Sequence, residues 1–162
     1  MPRRLRGWLA LNGRERAQFL GLIASLVVVH GSLALVGYAR TRRWVERISD
    51  RGSRRAASAE DLDAARRLAQ LAEIAGRRGA VRATCLRQAL VLHGWLRRRG
   101  LDPEIVIGVR SDGGATLDAH AWVELDGVSL DGGTVGADTV GSAARPRHVP
   151  LRRAGARTSG NE

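Results

Sequence analysis

The sequence predicts an α+β fold in which helices come first and a small antiparallel sheet follows. Apolar residues recur at helical spacing in two segments before residue 100. The run "PEIVIGVR", residues 103–110, is rich in β-branched side chains and predicts a buried strand. The stretch "AHAWVELDGVSLDGG" predicts a hairpin, with Asp126 and Gly127 as its two turn residues.

The first predicted element is a basic and apolar helical region over residues 1–50. Within it, residues 17–39 carry no charge if His30 is neutral, and about 20 apolar residues suffice to cross a bilayer. Arginines flank this stretch on both sides, so the distribution of charge gives no orientation. Two interpretations stay open at this point: contact with a membrane, or a helix buried against protein.

A short linker, "RGSRRAA", is predicted over residues 51–57, and a helix follows it. Ser58 can serve as the N-cap of this helix, with Asp61 three residues further on. Gly76 or Gly79 can end it.

The next helix is expected to begin near Cys85, with Thr84 as its N-cap, and to stop at Gly100. Together with the strands, it gives a predicted core over residues 58–141. Residues 142–162 are rich in Arg, Gly, Ala and Pro, and a loosely ordered tail is predicted there.

The composition limits the classes of function. Of the 162 residues, 27 are basic and 16 acidic, a net charge of +11, and every basic residue is arginine. Such an excess favours anionic partners, but the arginines are scattered and few aromatic residues lie among them to stack bases. We therefore predict a solvated basic surface and no nucleic-acid binding.

The cysteine and histidine content argues against metal sites. A single cysteine excludes an intrachain disulfide and a four-cysteine zinc site. The four histidines are dispersed and show no metal-ligand spacing. We expect no metal, no cofactor and a cytoplasmic protein with possible association to a membrane.

The lone cysteine, Cys85, is a candidate nucleophile because a helix N-terminus and a nearby imidazole both lower a thiol pKa. His93 lies eight residues along the same helix, roughly 12 Å away, and cannot reach it. His120 is placed at a strand start directly after a loop, where it can meet the helix end. The alternative is a small buried hydrophobic cysteine.

A carboxylate is needed to orient the imidazole, and the hairpin register supplies one. If Leu125 faces Val128, Asp131 lies diagonally from His120 on the same face of the hairpin. Asp118, two residues before His120, is the second candidate. Trp122 and Glu124 share that face and are candidate substrate-binding residues, although Trp122 can equally belong to the core.

The segments "CLRQALVLHGWLRRRGLDPEIVIGVR" and "AHAWVELDGVSLDG" resemble the transglutaminase-like cysteine peptidases of lasso peptide biosynthesis. These small B proteins remove the leader from a ribosomally made precursor peptide. The resemblance covers roughly residues 80–133 and implies a papain/transglutaminase-like core. It implies Cys85 as nucleophile, His120 as general base and then acid, and Asp131 as the orienting carboxylate. Family members often place that carboxylate one residue further on, where this sequence has Gly132.

The same resemblance implies the partners. They are a precursor peptide, a separate leader-recognition protein and a macrolactam-forming synthetase. Two other functions stay open: an acyl transferase that passes the thioester to an amine, and a non-catalytic scaffold for the maturation complex. A basic nucleic-acid-binding module is the further alternative, which the scattered arginines disfavour.

Overall fold

The computed structural model describes residues 12–52, 54–78, 84–111, 117–130 and 149–154. Within these ranges the helices precede a four-stranded antiparallel sheet with strand order β3-β2-β1-β4, which confirms the α+β prediction. The elements are α1 (Gly13–Ser49), α2 (Ala59–Arg78), α3 (Cys85–Arg97), β1 (Pro103–Ser111), β2 (Leu117–Leu125), β3 (Val128–Ser129) and β4 (Val149–Ala154).

Helix α1 is interrupted at Gly37, whose φ of 75° and ψ of 176° lie outside the helical region. The hydroxyl oxygens of Ser32 and Thr41 are 2.8 Å apart across this break. In a continuous helix these two residues would be separated by roughly 13 Å along the axis. The chain therefore folds back at Gly37, which allows this backbone conformation because it lacks a Cβ.

The two arms of this helical hairpin, residues 13–36 and 38–49, pack on the same part of α3. A Cβ on Gly21 would lie 2.8 Å from the ring of Trp95, and a Cβ on Gly94 would lie 3.0 Å from Val45 Cγ1. A straight helix would separate residues 21 and 45 by roughly 36 Å. Helix thus runs over residues 13–36 and 38–49 as a folded-back pair of arms, and residues 1–11 of the predicted helical region lie outside the described residues.

By length and composition α1 is apolar enough to cross a membrane, yet it also contributes to the protein core. Leu22, Leu26 and Val29 of the first arm and Val45 of the second arm are buried in the same apolar cluster as α2, α3 and the sheet. Even so, only 17% of the most apolar window of α1 is buried. One face is covered by protein and the other is not.

Helix α2 begins and packs as the sequence predicts. Ser58 and Asp61 form the expected reciprocal cap: the Ser58 N–H donates to Asp61 Oδ2 at 2.9 Å, and the Asp61 N–H donates to Ser58 Oγ at 3.2 Å. The apolar stripe that faces the core is fully buried, at Leu68, Leu71, Ala72 and Ala75.

The segment predicted as a linker is held to the core by its backbone. The Arg55 N–H donates to the Gly100 carbonyl at 3.0 Å, and the Ala57 N–H donates to Asp126 Oδ2 at 2.6 Å. These bonds tie it to the end of α3 and to the hairpin turn. A domain boundary at residues 51–57 stays a prediction.

The β2–β3 hairpin has the predicted register, with Leu125 opposite Val128. Asp126 and Gly127 have φ values of 49° and 78°, the positive pair that a two-residue type I′ turn requires. This turn sets which residues of β2 share a face.

The prediction of a loosely ordered tail is wrong for Val149–Ala154, which form β4 and pair antiparallel with β1. Strand β4 pairs its backbone with the second edge of β1, which satisfies hydrogen-bonding groups there. Such pairing needs few apolar side chains, so the composition of this segment does not predict a strand. Pro150 is tolerated because β4 is an edge strand in the described sheet. The rest of residues 142–162 lies outside the described residues.

Substituting Gly21 by alanine is expected to lower the free energy of unfolding by about 1 kcal/mol. The new methyl would meet the Trp95 ring, whose Nε1–H is fixed by a 3.1 Å bond to Ser25 Oγ. Overpacking of this kind costs about 1–3 kcal/mol, more than the gain of up to about 1 kcal/mol in helix propensity. Gly31→Ala is the matched control, because its Cβ meets nothing within 4 Å and should be neutral or stabilising. Equal shifts in urea unfolding would contradict the packing of the first arm on α3.

Candidate active site

Cys85 is the first residue of α3, where helix N–H groups lack intrahelical partners. Thr84 occupies the predicted N-cap position with φ −69° and ψ 161°, but its side chain makes no capping hydrogen bond. The half-buried thiol of Cys85 therefore lies beside the positive end of the helix dipole, which favours a thiolate.

The structure brings His120 to Cys85. A hydrogen bond from the His120 imidazole is the largest effect on the thiol and lowers the pKa of Cys85, against an opposing effect of burial. His120 does not begin the strand as predicted, because β2 starts at Leu117 and pairs His120 with Gly108. The added length comes from backbone pairing with β1, which extends the strand past the local apolar pattern.

Two backbone N–H groups also lower the pKa of Cys85 by hydrogen bonding to its sulfur, those of Ala121 and Leu86. The orientation of Ala121 follows from the sheet. The Leu130 N–H donates to the Val123 carbonyl at 2.9 Å, so the backbone groups of Val123 point toward the β3 side. Ala121, two residues earlier, points the same way and directs its N–H at the helix end.

Trp122 supports the imidazole from the same face of β2. The two rings stack with centroids 6.0 Å apart and 20° between their planes. Trp122 is only 4% exposed, and its Nε1–H donates to Glu124 Oε1 at 3.0 Å. Of the two candidate substrate-binding residues, Trp122 lines the cavity beside Cys85, whereas Glu124 is not among its lining residues and instead orients the indole.

The assignment of the orienting carboxylate, to Asp131 or to Asp118, stays a prediction. Asp131 lies outside the described residues. Asp118 is described only by its backbone, which pairs with Arg110 in β2. The prediction of Asp131 depends on the hairpin register, and the structure has that register as far as Ser129.

A cavity of about 320 Å³ lies beside the Cys85–His120 pair, between α2, α3 and β2. The sequence does not predict the part that α2 contributes to this cavity, including the ion-paired Glu73 and Arg77. Gln88 could have been found, since it lies one turn from Cys85 on the same helix. The lining residues are Ala69, Ala72, Glu73, Arg77, Cys85, Gln88, Ala89, Leu92, His120, Ala121, Trp122, Val123 and Leu130.

His93 takes no part in this site. It is 6% exposed and lines a second cavity with Arg42 and Glu46 of α1. Among the residues that the structure describes, no group of three or more His, Cys, Asp or Glu side chains is arranged to hold a metal ion.

A comparison with family models decides the affiliation. The model of the transglutaminase-like superfamily matches residues 32–144, most of the chain. The chain belongs to the transglutaminase-like superfamily. No curated protein and no solved structure gives a significant match.

The transglutaminase-like superfamily includes cysteine peptidases and acyltransferases. Both classes use a cysteine thiolate that is acylated by the substrate and then releases the acyl group to water or an amine. The Cys85–His120 pair of this transglutaminase-like chain has the arrangement that such chemistry requires, a thiol at a helix start within hydrogen-bonding reach of an imidazole.

Alkylation of Cys85 by iodoacetamide is expected to reach half its maximal rate at a pH below the roughly 8.5 of a free cysteine. The His120 hydrogen bond lowers the pKa of this thiol, so thiolate is present at a lower pH. In His120→Ala the midpoint should move upward. His93→Leu is the control, because His93 lies eight residues further along the same helix, and its midpoint should match the wild type. An unchanged midpoint in His120→Ala would mean that the imidazole does not act on the thiol.

Proposed function

We propose that this protein is a cysteine peptidase that removes the leader from a ribosomally made lasso precursor peptide. The observation that carries the proposal is the contact of the His120 imidazole with the Cys85 thiol beside a cavity of about 320 Å³. The cysteine-based acyl chemistry is supported by the family and by the geometry of the Cys85–His120 pair. The choice of substrate is supported by the resemblance of the segments around Cys85 and His120 to lasso leader peptidases.

The reaction begins with proton transfer from Cys85 to His120 and attack of the thiolate on the carbonyl carbon at the leader–core junction. The tetrahedral intermediate collapses when the His120 imidazolium gives its proton to the core amine, which leaves as the C–N bond breaks. The leader stays on Cys85 as a thioester. His120 then takes a proton from water, hydroxide adds to the thioester, and the leader acid and the thiol are released.

The start of α3 supplies charge stabilisation for these steps. The backbone N–H of Cys85 lies in the first turn of the helix, where it can donate to the developing oxyanion. The Ala121 and Leu86 N–H groups stabilise the attacking sulfur before the reaction. In this proposal Asp131 orients His120, as the resemblance and the hairpin register both favour.

Leader recognition is proposed to come from a separate protein. The described part of the N-terminal region is a helical hairpin packed on the core and has no separate fold for binding a leader. The liberated core amine would then be the substrate of a macrolactam-forming synthetase.

The test is mass spectrometry of a co-encoded precursor peptide incubated with its leader-binding protein and this chain, wild type against Cys85→Ala. The wild type should release an intact leader with a free carboxylate, and Cys85→Ala should leave the precursor whole. A leader joined to an amine would instead assign acyl transfer. An uncleaved precursor in a stable complex with the wild-type chain would overturn catalysis in favour of a scaffold.

A further inference from the structure

The outward face of the first arm of α1 is apolar and exposed. Leu20 is 56% exposed, Val28 51% and Leu35 86%. Between residues 17 and 36 the exposed positions carry no charged or hydrogen-bonding side chain; they are Ala17, Leu20, Ala24, Val27, Val28, Ala34, Leu35 and Val36. A helix that faces water would carry polar residues there, whereas an exposed apolar surface such as this one, hereafter the outer face, is typical of a face that contacts a membrane or another protein.

The opposite side of the same arm is fixed in the protein. Leu22 is 0% exposed in the common core, and Trp95 of α3 donates its indole N–H to Ser25. Glu15, at the start of the arm, is 2.7 Å from the Arg67 guanidinium of α2. A transmembrane orientation would withdraw this buried side from α2 and α3, so the arm can meet a bilayer only along its length.

The second arm supplies charge that suits anionic headgroups. Arg40, Arg43 and Arg47 recur at intervals of three and four residues and are exposed, with Trp44 and Ile48 exposed beside them. The sequence has no acidic residue between Glu15 and Glu46. Exposed apolar residues combined with exposed arginines and a tryptophan in one helical segment are typical of helices that lie in the membrane interface.

We propose that the α1 hairpin binds the surface of an anionic bilayer in the plane of the membrane, with the outer face inserted at the headgroup boundary. A second copy of the chain is a poorer occupant, because it would bring the same arginines together within a protein of net charge +11. Anionic lipid neutralises those arginines while it accepts the apolar side chains. Binding should therefore need anionic lipid and weaken as salt rises.

The experiment is co-sedimentation of the full chain with vesicles of phosphatidylcholine alone or of equal parts phosphatidylcholine and phosphatidylglycerol. The wild type should bind the anionic vesicles at least about tenfold more tightly than the neutral ones. The double variant Leu20→Glu/Leu35→Glu should lose roughly tenfold or more, since burying even one leucine contributes more than the 1.4 kcal/mol of a tenfold change. The charge-matched control Ala64→Glu/Gln70→Glu changes exposed positions on α2 and should bind within a few fold of the wild type.

Two further measurements separate the alternatives. Carbonate extraction should release the bound wild type, as expected for a surface-bound chain; resistance to extraction would overturn the in-plane arrangement. Sedimentation velocity without lipid should show the same mass for the wild type and the leucine variant. A wild-type dimer that the leucine substitutions dissociate would assign the outer face to a second copy and overturn the proposal. Circular dichroism confirms that each variant is folded. None of these readouts depends on the peptidase activity.

Discussion

His120→Ala is expected to slow acylation of Cys85 by about 10²–10⁴-fold at pH 7, the usual range for loss of a general base. The reporter is p-nitrophenyl acetate, whose burst of nitrophenol measures acylation and whose steady rate measures hydrolysis of the thioester. The imidazole is the main group that lowers the pKa of the Cys85 thiol, and it also has to activate water in the second step. Both phases should therefore fall in this variant.

Two control variants are needed to interpret the result for His120→Ala. Cys85→Ala should show neither a burst nor a bound acetyl group by mass spectrometry. Glu124→Gln keeps a hydrogen-bond acceptor for the Trp122 indole and should change both phases only slightly. If His120→Ala retained the wild-type burst, the thiol would be reactive without the imidazole and the proposed mechanism would fail.

The wild type is expected to lose about 3 kcal/mol of stability between pH 6.5 and pH 4 through His93. Burial is the main cause that lowers the pKa of this histidine to about 4, with the nearby charges of Arg97 and Arg42 acting the same way and those of Glu46 and Asp102 opposing them. Below about pH 6.5 His93 binds a proton in the unfolded chain but stays neutral in the folded chain, so stability falls with falling pH until about pH 4. Above pH 6.5 both states are neutral there and His93 contributes no pH dependence.

His93→Leu isolates this contribution. The Nδ1 atom of His93 has no hydrogen-bond partner in the structure, so replacement by an apolar side chain of similar size breaks no bond at that atom. Urea unfolding at several pH values should show the wild type falling more steeply than the variant, with the difference growing to about 3 kcal/mol at pH 4. Parallel curves for the two proteins would show that His93 has the same pKa in the folded and unfolded states.

Local chemistry in the sequence was enough to predict the elements that hold the candidate site. The Ser58–Asp61 cap, the helix start at Cys85 and the Asp126–Gly127 turn each depend on residues close together in the chain. The meeting of Cys85 with His120 was a hypothesis from the element order, and the structure shows these two residues in contact.

Long-range packing accounts for what the sequence did not predict. Nothing local distinguishes Gly37 from the other glycines of α1 as the point where the chain turns back. The approach of Glu73 and Arg77 to the cavity depends on the rotation of α2 against α3, which apolar periodicity does not fix. Strand β4 forms through backbone pairing with β1 and has only a weak apolar pattern of its own.

Because α1 turns back at Gly37, the segment that matches the family model is shorter than the segment that packs into one core. The family model begins at residue 32 and so takes in the second arm but little of the first. Leu22, Leu26 and Val29 nevertheless belong to the same buried cluster as Leu90 of α3. A fragment that begins at residue 32 would lack most of the first arm and would expose the apolar side of α3, the helix that begins at Cys85. The minimal cooperative unit for expression therefore starts before the homologous segment, at the first arm.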